Sequence, residues 1–400
     1  MSDISIIGGG HASVKLVNNL HKLEFKGNIN IFSEEKHLPY ERPPLSKDYL
    51  YGSKKFEDFK IDINLEKVNY YFSTKINKID FNKKLIYDQN NNNYSYDKLV
   101  FANGSSPKRI FEENIEGVNY LRTLDDSVKI KSSIEISRDI VLLGAGYISL
   151  EIASTIKKNY PNKEVTIIDN SEKILLRNSN DDLREFIFKY QKKNNVKFLF
   201  NTSLQNLIRN EDGSIKSLIL DDNKILPCDL LVVGIGVYPN TDILKGTMLE
   251  EKNGIKVNEY CETSVKDVFA LGDVALSKNN FLNKHIREES WNNAEKQSDI
   301  LAKNLTGTKT AYDEIPWFWT DQFDQNFQIL GEINYFDNKI LRNYSENKNT
   351  IIYFKNKKII GAVAVNNGRD ISIIRKIIKK NIVPNMEKIQ NIDINLKELL

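Results

Sequence analysis

The sequence predicts an α/β fold with two Rossmann-like dinucleotide-binding units, and three observations predict it. The first is Ile4–Ser13, ISIIGGGHAS, a short apolar run, three glycines and the start of an amphipathic pattern. The second is its repetition at Ile140–Ser149, IVLLGAGYIS. The third is that each copy is followed, 26 and 25 positions beyond Gly8 and Gly144, by a strand-like run ending in carboxylates, Glu34-Glu35 and Asp169. Gly8 and Gly10, like Gly144 and Gly146, let the backbone turn sharply and approach a pyrophosphate at a helix N-terminus. A carboxylate at the end of the next strand accepts hydrogen bonds from ribose hydroxyls. Two such units in one chain mean two dinucleotides. In both copies serine, Ser13 and Ser149, stands where the third motif glycine is usual.

Length and composition agree with this reading. Four hundred residues suggest roughly two or three domains. Hydrophobic residues make up 40% and charged residues 28%, as in a globular chain, and the net charge of +3 is too small to argue for nucleic acid. No long apolar run predicts a transmembrane helix. The first strand begins within a few residues of the N-terminus and leaves no room for a signal peptide, so a cytoplasmic protein is expected. Cys228 and Cys261 are isolated and the four histidines do not cluster, so no metal site is expected.

In chain order, Leu16, Leu20 and Leu23 mark the buried face of the first helix, and Ile29 and Ile31 the second strand. His37–Leu50, HLPYERPPLSKDYL, carries three prolines, which predict an extended, non-helical ribbon. It presents Arg42, a guanidinium for a pyrophosphate, and Lys47, an ammonium for a ring that gains negative charge. The alternative is a solvated surface loop. Val68–Asp97 alternates polar and apolar and predicts antiparallel strands with a turn at 89–93. Lys98–Gly104 returns as a buried strand ending in a small-residue turn, and YLRTL sets Arg122 among apolar neighbours.

After the second glycine turn, Ile148, Ile152 and Ile156 mark a buried helix face. Asp169 favours NADH over NADPH, because it bonds a 2′-hydroxyl and repels a 2′-phosphate, while Arg177 nearby could rescue the phosphate. A helix is predicted over Leu183–Lys193, paired strands over Phe198–Leu220, and a buried strand at Leu230–Asn240. VFALGD ends in Asp273, either a contact to the first dinucleotide or a helix N-cap. Strands at Asn326–Ile333 and Ile351–Phe354 precede a helix at Ile371–Lys380 bearing Arg375, Lys376, Lys379 and Lys380. That face is either a docking surface for an acidic partner or simply solvated.

ISIIGGGHAS, LPYERPPLSK, FANG, YLRTL, LLGAGYISLE, VGIGVYPN, FALGD, ESWNNA and PWFWTDQ occur in that order between residues 4 and 322. Together they resemble the FAD-dependent, NADH-linked ferredoxin reductases of the putidaredoxin and rubredoxin reductase type, within the pyridine nucleotide-disulfide oxidoreductase superfamily. Asn103 departs from that pattern, which usually has threonine. The resemblance implies an FAD domain over 1–109 and 239–304, an NADH domain over 110–238 inserted in it, and a C-terminal α/β interface domain over 305–400. It implies FAD contacts at Gly8, Gly10, Ala12, Glu34, Arg42, Lys47, Ile76, Ala102, Arg122, Asp273 and Trp291, with Glu35 beside Glu34. NADH contacts are implied at Gly144, Gly146, Tyr147, Ile148, Glu151, Asp169, Ile235 and Gly236. Trp319 is implied to lie beside the flavin, on the face away from NADH.

The chemistry narrows the roles further. A nicotinamide that gives hydride to a flavin must stack on it at near-attack distance, and Lys47 favours the negative charge that the reduced ring acquires. Glu151 is placed to pair with Lys47, or else is an exposed helix carboxylate. No CxxxxC accompanies the first helix, so electrons leave from the flavin edge. The expected acceptor is a small [2Fe–2S] ferredoxin or rubredoxin feeding an oxygenase-type system, and the reductase itself is a monomer or homodimer. The alternatives are an NADH-sensing flavoprotein like the apoptosis-inducing factors, or a reductase of a nitrite reductase or a quinone.

Overall fold

The computed structural model describes residues 3–176 and 179–400. Two compact units emerge: Met1–Glu41, Phe56–Ser106 and Val237–Pro316 form one, and Arg42–Lys55, Pro107–Gly236 and Trp317–Leu400 the other.

The first unit is built on a five-stranded parallel sheet. Ile4–Ile7 lies between Ile29–Phe32 and Lys98–Phe101, with Val68–Tyr71 and Val268–Ala270 outermost. Strands covered on both faces read as nearly continuous apolar runs, as Ile4, Ile6, Ile31, Leu99 and Val100 do here. The chain leaves the central strand in one direction and returns on its other side. This makes a topological switch point at the carboxyl end of Ile4–Ile7, where open α/β sheets bind ligands. The helix His11–Lys22 buries Leu16 and Leu20, whereas Leu23 is 41% exposed because the helix has already ended. Val68–Tyr71 corrects the expected antiparallel run: it joins the parallel sheet, and only Ile76–Asp80, Leu85–Asp88 and Asn93–Ser95 pair antiparallel. Alternation of polarity reports which face a residue takes, not the direction of the neighbouring strand.

The second unit repeats the plan. Asp139–Leu143 lies between Glu164–Ile168 and Leu230–Val233, flanked by Lys197–Leu199 and Val118–Asn119, all parallel. In the helix Tyr147–Asn159, Ile152 and Ile156 are buried but Ile148 is 45% exposed. Ile148 lies in the first turn of the helix, at the end that opens on the glycine turn, where the core that covers Ile152 and Ile156 does not reach it. The same unit carries a five-stranded antiparallel sheet, in the order Trp317–Gln322, Gln325–Gly331, Lys358–Val365, Lys348–Lys355 and Asn338–Ser345. The helix Gly368–Lys379 packs Ile371, Ile374 and Ile377 inward.

The proline-rich segment is not extended. Pro43–Ser46 forms a 3-10 turn and Asp48–Tyr51 a short helix stopped by Gly52 at φ +93°. Proline suits the first turn of a helix, where its missing N–H has no partner to lose and its φ is already set. Pro44, Leu45 and Ser46 are buried.

Arg342 explains how the chain end is held. Only 1% exposed, its guanidinium donates to the carbonyls of Ile389, Asn391 (2.8 Å) and Ile394 (2.8 Å), and its Nε to Tyr344 Oη (2.7 Å). Removing one buried donor strands several acceptors at about 1–3 kcal/mol each. Arg342→Met is therefore expected to release the segment after residue 385 to limited proteolysis while the rest of the chain stays protected, as read by mass spectrometry. Equal protection in both proteins would contradict this anchoring role.

Candidate functional site

The site residues begin at two helix ends. Among described helices of 12 residues or more, most satisfy their own N-termini. Thr123 and Asp126 form a capping box, Asn180 and Ser290 each cap through the side chain, and Gly368–Lys379 has Asp370 in its first turn. His11–Lys22 and Tyr147–Asn159 differ: their N-caps are Gly10 and Gly146, and neither has a side-chain cap or an acidic residue in the first turn. Free N–H groups and the positive end of the helix dipole are thereby left for an anion.

The glycines of each turn have separate reasons. Gly8 sits at φ +107° and a Cβ there would lie 2.4 Å from the Ala102 carbonyl oxygen; Gly144 sits at φ +99° and would meet that of Gly234 at 2.5 Å. Gly146 has an ordinary φ of −82°, and a Cβ on it would find only the Gly234 oxygen, at 3.8 Å. The protein's own packing does not require glycine there, whereas a group seated on the helix end would. The two serines also fit. Ser13 Oγ donates to the Gly8 carbonyl at 2.5 Å, and Ser149 packs where Gly234 has no side chain.

Around the first turn, Glu34 is exposed with Lys75 at 3.5 Å, while Glu35 accepts from Tyr40 Oη. Ala12, Ile76 and Ala102 are buried. Asp273 lies within the 3-10 turn Gly272–Val274, whose N-cap is Leu271, so it is no cap; its Oδ2 accepts from Ser105 Oγ at 3.0 Å. Trp291 opens the helix Trp291–Leu305, its ring 5.2 Å from that of His11. Asn103 and Asn240 exchange side-chain amide bonds with each other's carbonyls at 2.7 and 2.6 Å, which accounts for asparagine at that position. Asn103 Oδ1, His11 Nδ1 and Asn292 Nδ2 are buried polar atoms without a protein partner. Such atoms are costly unless something polar meets them, and this first-unit set suits a large polar cofactor such as FAD.

At the second turn, Asp169 Oδ2 accepts from the Ala145 amide at 2.6 Å and Oδ1 from the Ser171 amide at 2.8 Å, fixing its carboxylate beside the glycines. Arg177 lies outside the described residues. Ile235 packs on the apolar core and Gly236 takes φ +104° with open space around it. Burial pushes the Tyr147 hydroxyl up from its ordinary range.

Lys47, Glu151 and Trp319 come together. Glu151 is 3% exposed, not a solvent-facing carboxylate. Lys47 Nζ lies 3.1 Å from its Oε1, 3.8 Å from Asp321 Oδ2, and 5.9 Å from the centre of the Trp319 ring. Helix and strand periods explain the assembly. Tyr147 and Glu151 are one helical turn apart, and Phe318 and Thr320 are two strand positions apart, both spacings being about 6 Å. So the Tyr147 ring lies tilted against Phe318 (ring centroids 4.7 Å) while Glu151 accepts from Thr320 Oγ1 at 2.7 Å. Trp317 and Trp319 alternate to the other face and stack on each other at 5.3 Å. Arg42 Nη1 donates to the Arg122 carbonyl at 2.6 Å, joining two more of the expected residues. Ser46, which donates to Glu151 Oε2 at 2.6 Å, and Thr320 were not legible as site residues. The only local signal was their adjacency to Lys47 and Trp319.

No group of three or more His, Cys, Asp and Glu among the described residues could hold a metal, and no described helix is long and apolar enough to cross a membrane.

The chain matches the family described as pyridine nucleotide-disulphide oxidoreductase over residues 2–298 and a reductase C-terminal family over 317–400. It is 30% identical to the 3-phenylpropionate/cinnamic acid dioxygenase ferredoxin–NAD(+) reductase component of Photorhabdus laumondii, covering 93% of this chain and 95% of the relative. Identity to a rubredoxin-NAD(+) reductase of Pseudomonas putida is also 30%, over 91% and 95%. Among solved structures, the reductase of a covalent putidaredoxin reductase–putidaredoxin complex superposes with a TM-score of 0.93 at 26% identity, over 100% and 98% of the two chains. A ferredoxin reductase from Rhodopseudomonas palustris gives 0.93 at 28%, over 100% and 99%.

Cys228 and Cys261 are free and buried, and burial pushes both thiols up to about 12. Because a thiolate is the reactive form and a raised value leaves almost none at pH 8, a disulfide reagent is expected to titrate no thiol in the native protein. In guanidinium chloride it should titrate two per chain. Fast native reaction at pH 8 would contradict the burial.

Proposed function

We propose that this chain, which belongs to the pyridine nucleotide-disulphide oxidoreductase family, is a flavoprotein reductase that carries electrons from NADH through FAD to a small iron–sulfur protein of an oxygenase-type system. The observation that carries this reading is the Lys47–Glu151 pair in a chain whose two cysteines are separately buried. The pair sets an ammonium beside a buried carboxylate, and no thiol pair is present to receive electrons within the protein. The acceptor therefore comes from outside, and we take it to be a ferredoxin of the [2Fe–2S] type or a rubredoxin.

The residues divide the work as follows. The uncapped N-terminus at Gly10 and the polar atoms near it hold FAD, with Glu34 on the ribose, Ala12, Ile76, Ala102, Asp273 and Trp291 lining the site, and Arg42 and Arg122 assisting. The uncapped N-terminus at Gly146 holds the NADH pyrophosphate, with Asp169 taking the ribose hydroxyls and Tyr147, Ile148, Ile235 and Gly236 around it. FAD, when bound, supplies the conversion of a hydride pair into single electrons. Lys47 offsets negative charge and Glu151 holds Lys47 in place and orients the nicotinamide; Trp319 borders the reacting ring. Domain roles follow: FAD over 1–109 and 239–304, NADH over 110–238, and partner contact over 305–400. Exposed Lys376 and Lys379 on the last long helix and Lys380 at its C-terminal end favour an acidic partner by steering its approach.

The test is anaerobic stopped-flow absorbance of the FAD-loaded protein. NADH is expected to bleach the flavin band at least tenfold faster than NADPH at equal concentration. Steady-state turnover with an acidic [2Fe–2S] ferredoxin should fall about tenfold between low and 0.5 M salt, while bleaching by NADH stays within twofold. A flavin that NADH leaves oxidised would overturn the assignment.

Gly146 offers a second check. Its φ of −82° and the 3.8 Å clearance admit alanine without strain. Gly146→Ala should melt within about 2 °C of the parent yet raise the KM for NADH about tenfold, equivalent to about 1.4 kcal/mol. An unchanged KM would remove the pyrophosphate from that helix end.

A further inference from the structure

Behind Glu151 a line of polar side chains runs into the core of its own unit. Gln191 Nε2 donates to Gln322 Oε1 at 2.8 Å, Gln322 Nε2 to Thr320 Oγ1 at 3.3 Å, and Thr320 Oγ1 to Glu151 Oε1 at 2.7 Å. Gln191 is 0%, Gln322 1% and Thr320 0% exposed. The polarity of the line is fixed at both ends. Gln191 Nε2 also faces the Leu150 carbonyl oxygen at 2.9 Å, so that atom must be the amide nitrogen. At the other end Glu151 Oε1 can only take the Thr320 proton offered to it. Hydrogen bonds aligned in one direction polarise one another.

Gln191 continues the buried stripe of Leu183 and Ile187 on the helix Asp181–Lys193, where an apolar residue would complete the core. Instead its Oε1 is buried without a partner, a cost set against the bonds its Nε2 offers to the Leu150 carbonyl and to Ser154 Oγ, each at 2.9 Å. What the line does deliver is the location of one oxygen. Oε1 of Glu151 is the atom that Lys47 Nζ approaches at 3.1 Å, so whatever fixes Oε1 fixes the ammonium.

We propose that Gln191, Gln322 and Thr320 are positioning residues for NADH oxidation: the aligned line locks Oε1 of Glu151, and through it the ammonium of Lys47. The inference rests on the proposed roles of Lys47 and Glu151. It assigns function to a glutamine on a helix that presents no other site residue, three hydrogen bonds removed from the pair.

The experiment compares FAD-loaded wild type, Thr320→Val, Thr320→Ser, Gln191→Leu, Glu151→Gln and the Glu151→Gln/Thr320→Val double variant. Limiting rates of flavin bleaching come from anaerobic stopped flow over a series of NADH concentrations, NAD+ affinity from calorimetry of the oxidised protein, and integrity from thermal melts. Thr320→Val removes the hydroxyl at nearly constant shape and should lower the limiting rate at least tenfold, with NAD+ affinity within twofold. Thr320→Ser should restore the rate to within threefold of wild type, and Gln191→Leu should lower it about threefold. Because Thr320 acts through Glu151, the double variant should be no more than twofold slower than Glu151→Gln alone.

A wild-type rate in Thr320→Val, losses that multiply in the double variant, or equal losses of rate and NAD+ affinity would each overturn the positioning role. If Thr320→Val fails to retain FAD, Gln191→Leu decides, and a wild-type rate there overturns the proposal. A wild-type protein that NADH does not bleach would instead bring down the functional reading, and this inference with it.

Discussion

A carboxylate on the buried side of a helix has to be met by donors, and Glu151 sets that demand for its whole unit. Removing such a group from water without partners costs more than packing returns. The unit is assembled from three separated stretches of chain, and each supplies one side of the answer. Ser46 and Lys47 come from the first, Glu151 itself from the second, and Thr320 from the third. The short turn Pro43–Ser46 and the strand Trp317–Gln322 are thereby tied to the helix Tyr147–Asn159 by charge and hydrogen bonds as well as by apolar contact. Thr155 Oγ1 adds a bond to the Ser46 carbonyl at 2.8 Å. The interaction that positions the candidate chemistry is also one that holds distant segments together.

The two glycine turns are duplicates in plan and differ in detail. Both end a central parallel strand, both place a positive-φ glycine against a neighbouring strand's backbone, and both open an uncapped helix. Around the first, orphaned polar atoms belong to His11, Asn103 and Asn292. Around the second, Asp169 is already fixed by the Ala145 and Ser171 amides. The first set of atoms suits a large polar ligand. At the second turn the carboxylate is held in one orientation by backbone donors of the protein itself.

Several parts of this were open to reading from the chain alone. The repeated strand–glycine–helix unit, the carboxylates 25 or 26 positions on, and the lack of a cysteine pair are local facts whose physical meaning does not depend on neighbours far away. Others were misread because the deciding partner is distant. His37–Leu50 looks extended by its prolines, yet Pro43 and Pro44 occupy a first turn that burial of Leu45 stabilises. Val68–Tyr71 has the alternation of a hairpin strand but pairs in parallel with Ile29–Phe32. Ser46 and Gln191 carry no motif, and the bonds that join them to Glu151 and Gln322 reach across more than a hundred residues of sequence.

The α/β class, the two glycine turns and the electrostatic sign of the residues beside them were already written in the amino-acid order. These follow from backbone permissiveness, helix and strand periodicity and charge, which act within a few residues. Only the tertiary structure decided that Glu151 is buried, that Lys47 shares its oxygen with Thr320, and that a line of amides stands behind it. Those are consequences of desolvation and hydrogen-bond satisfaction, and both are properties of a place in the fold, not of a residue in the chain.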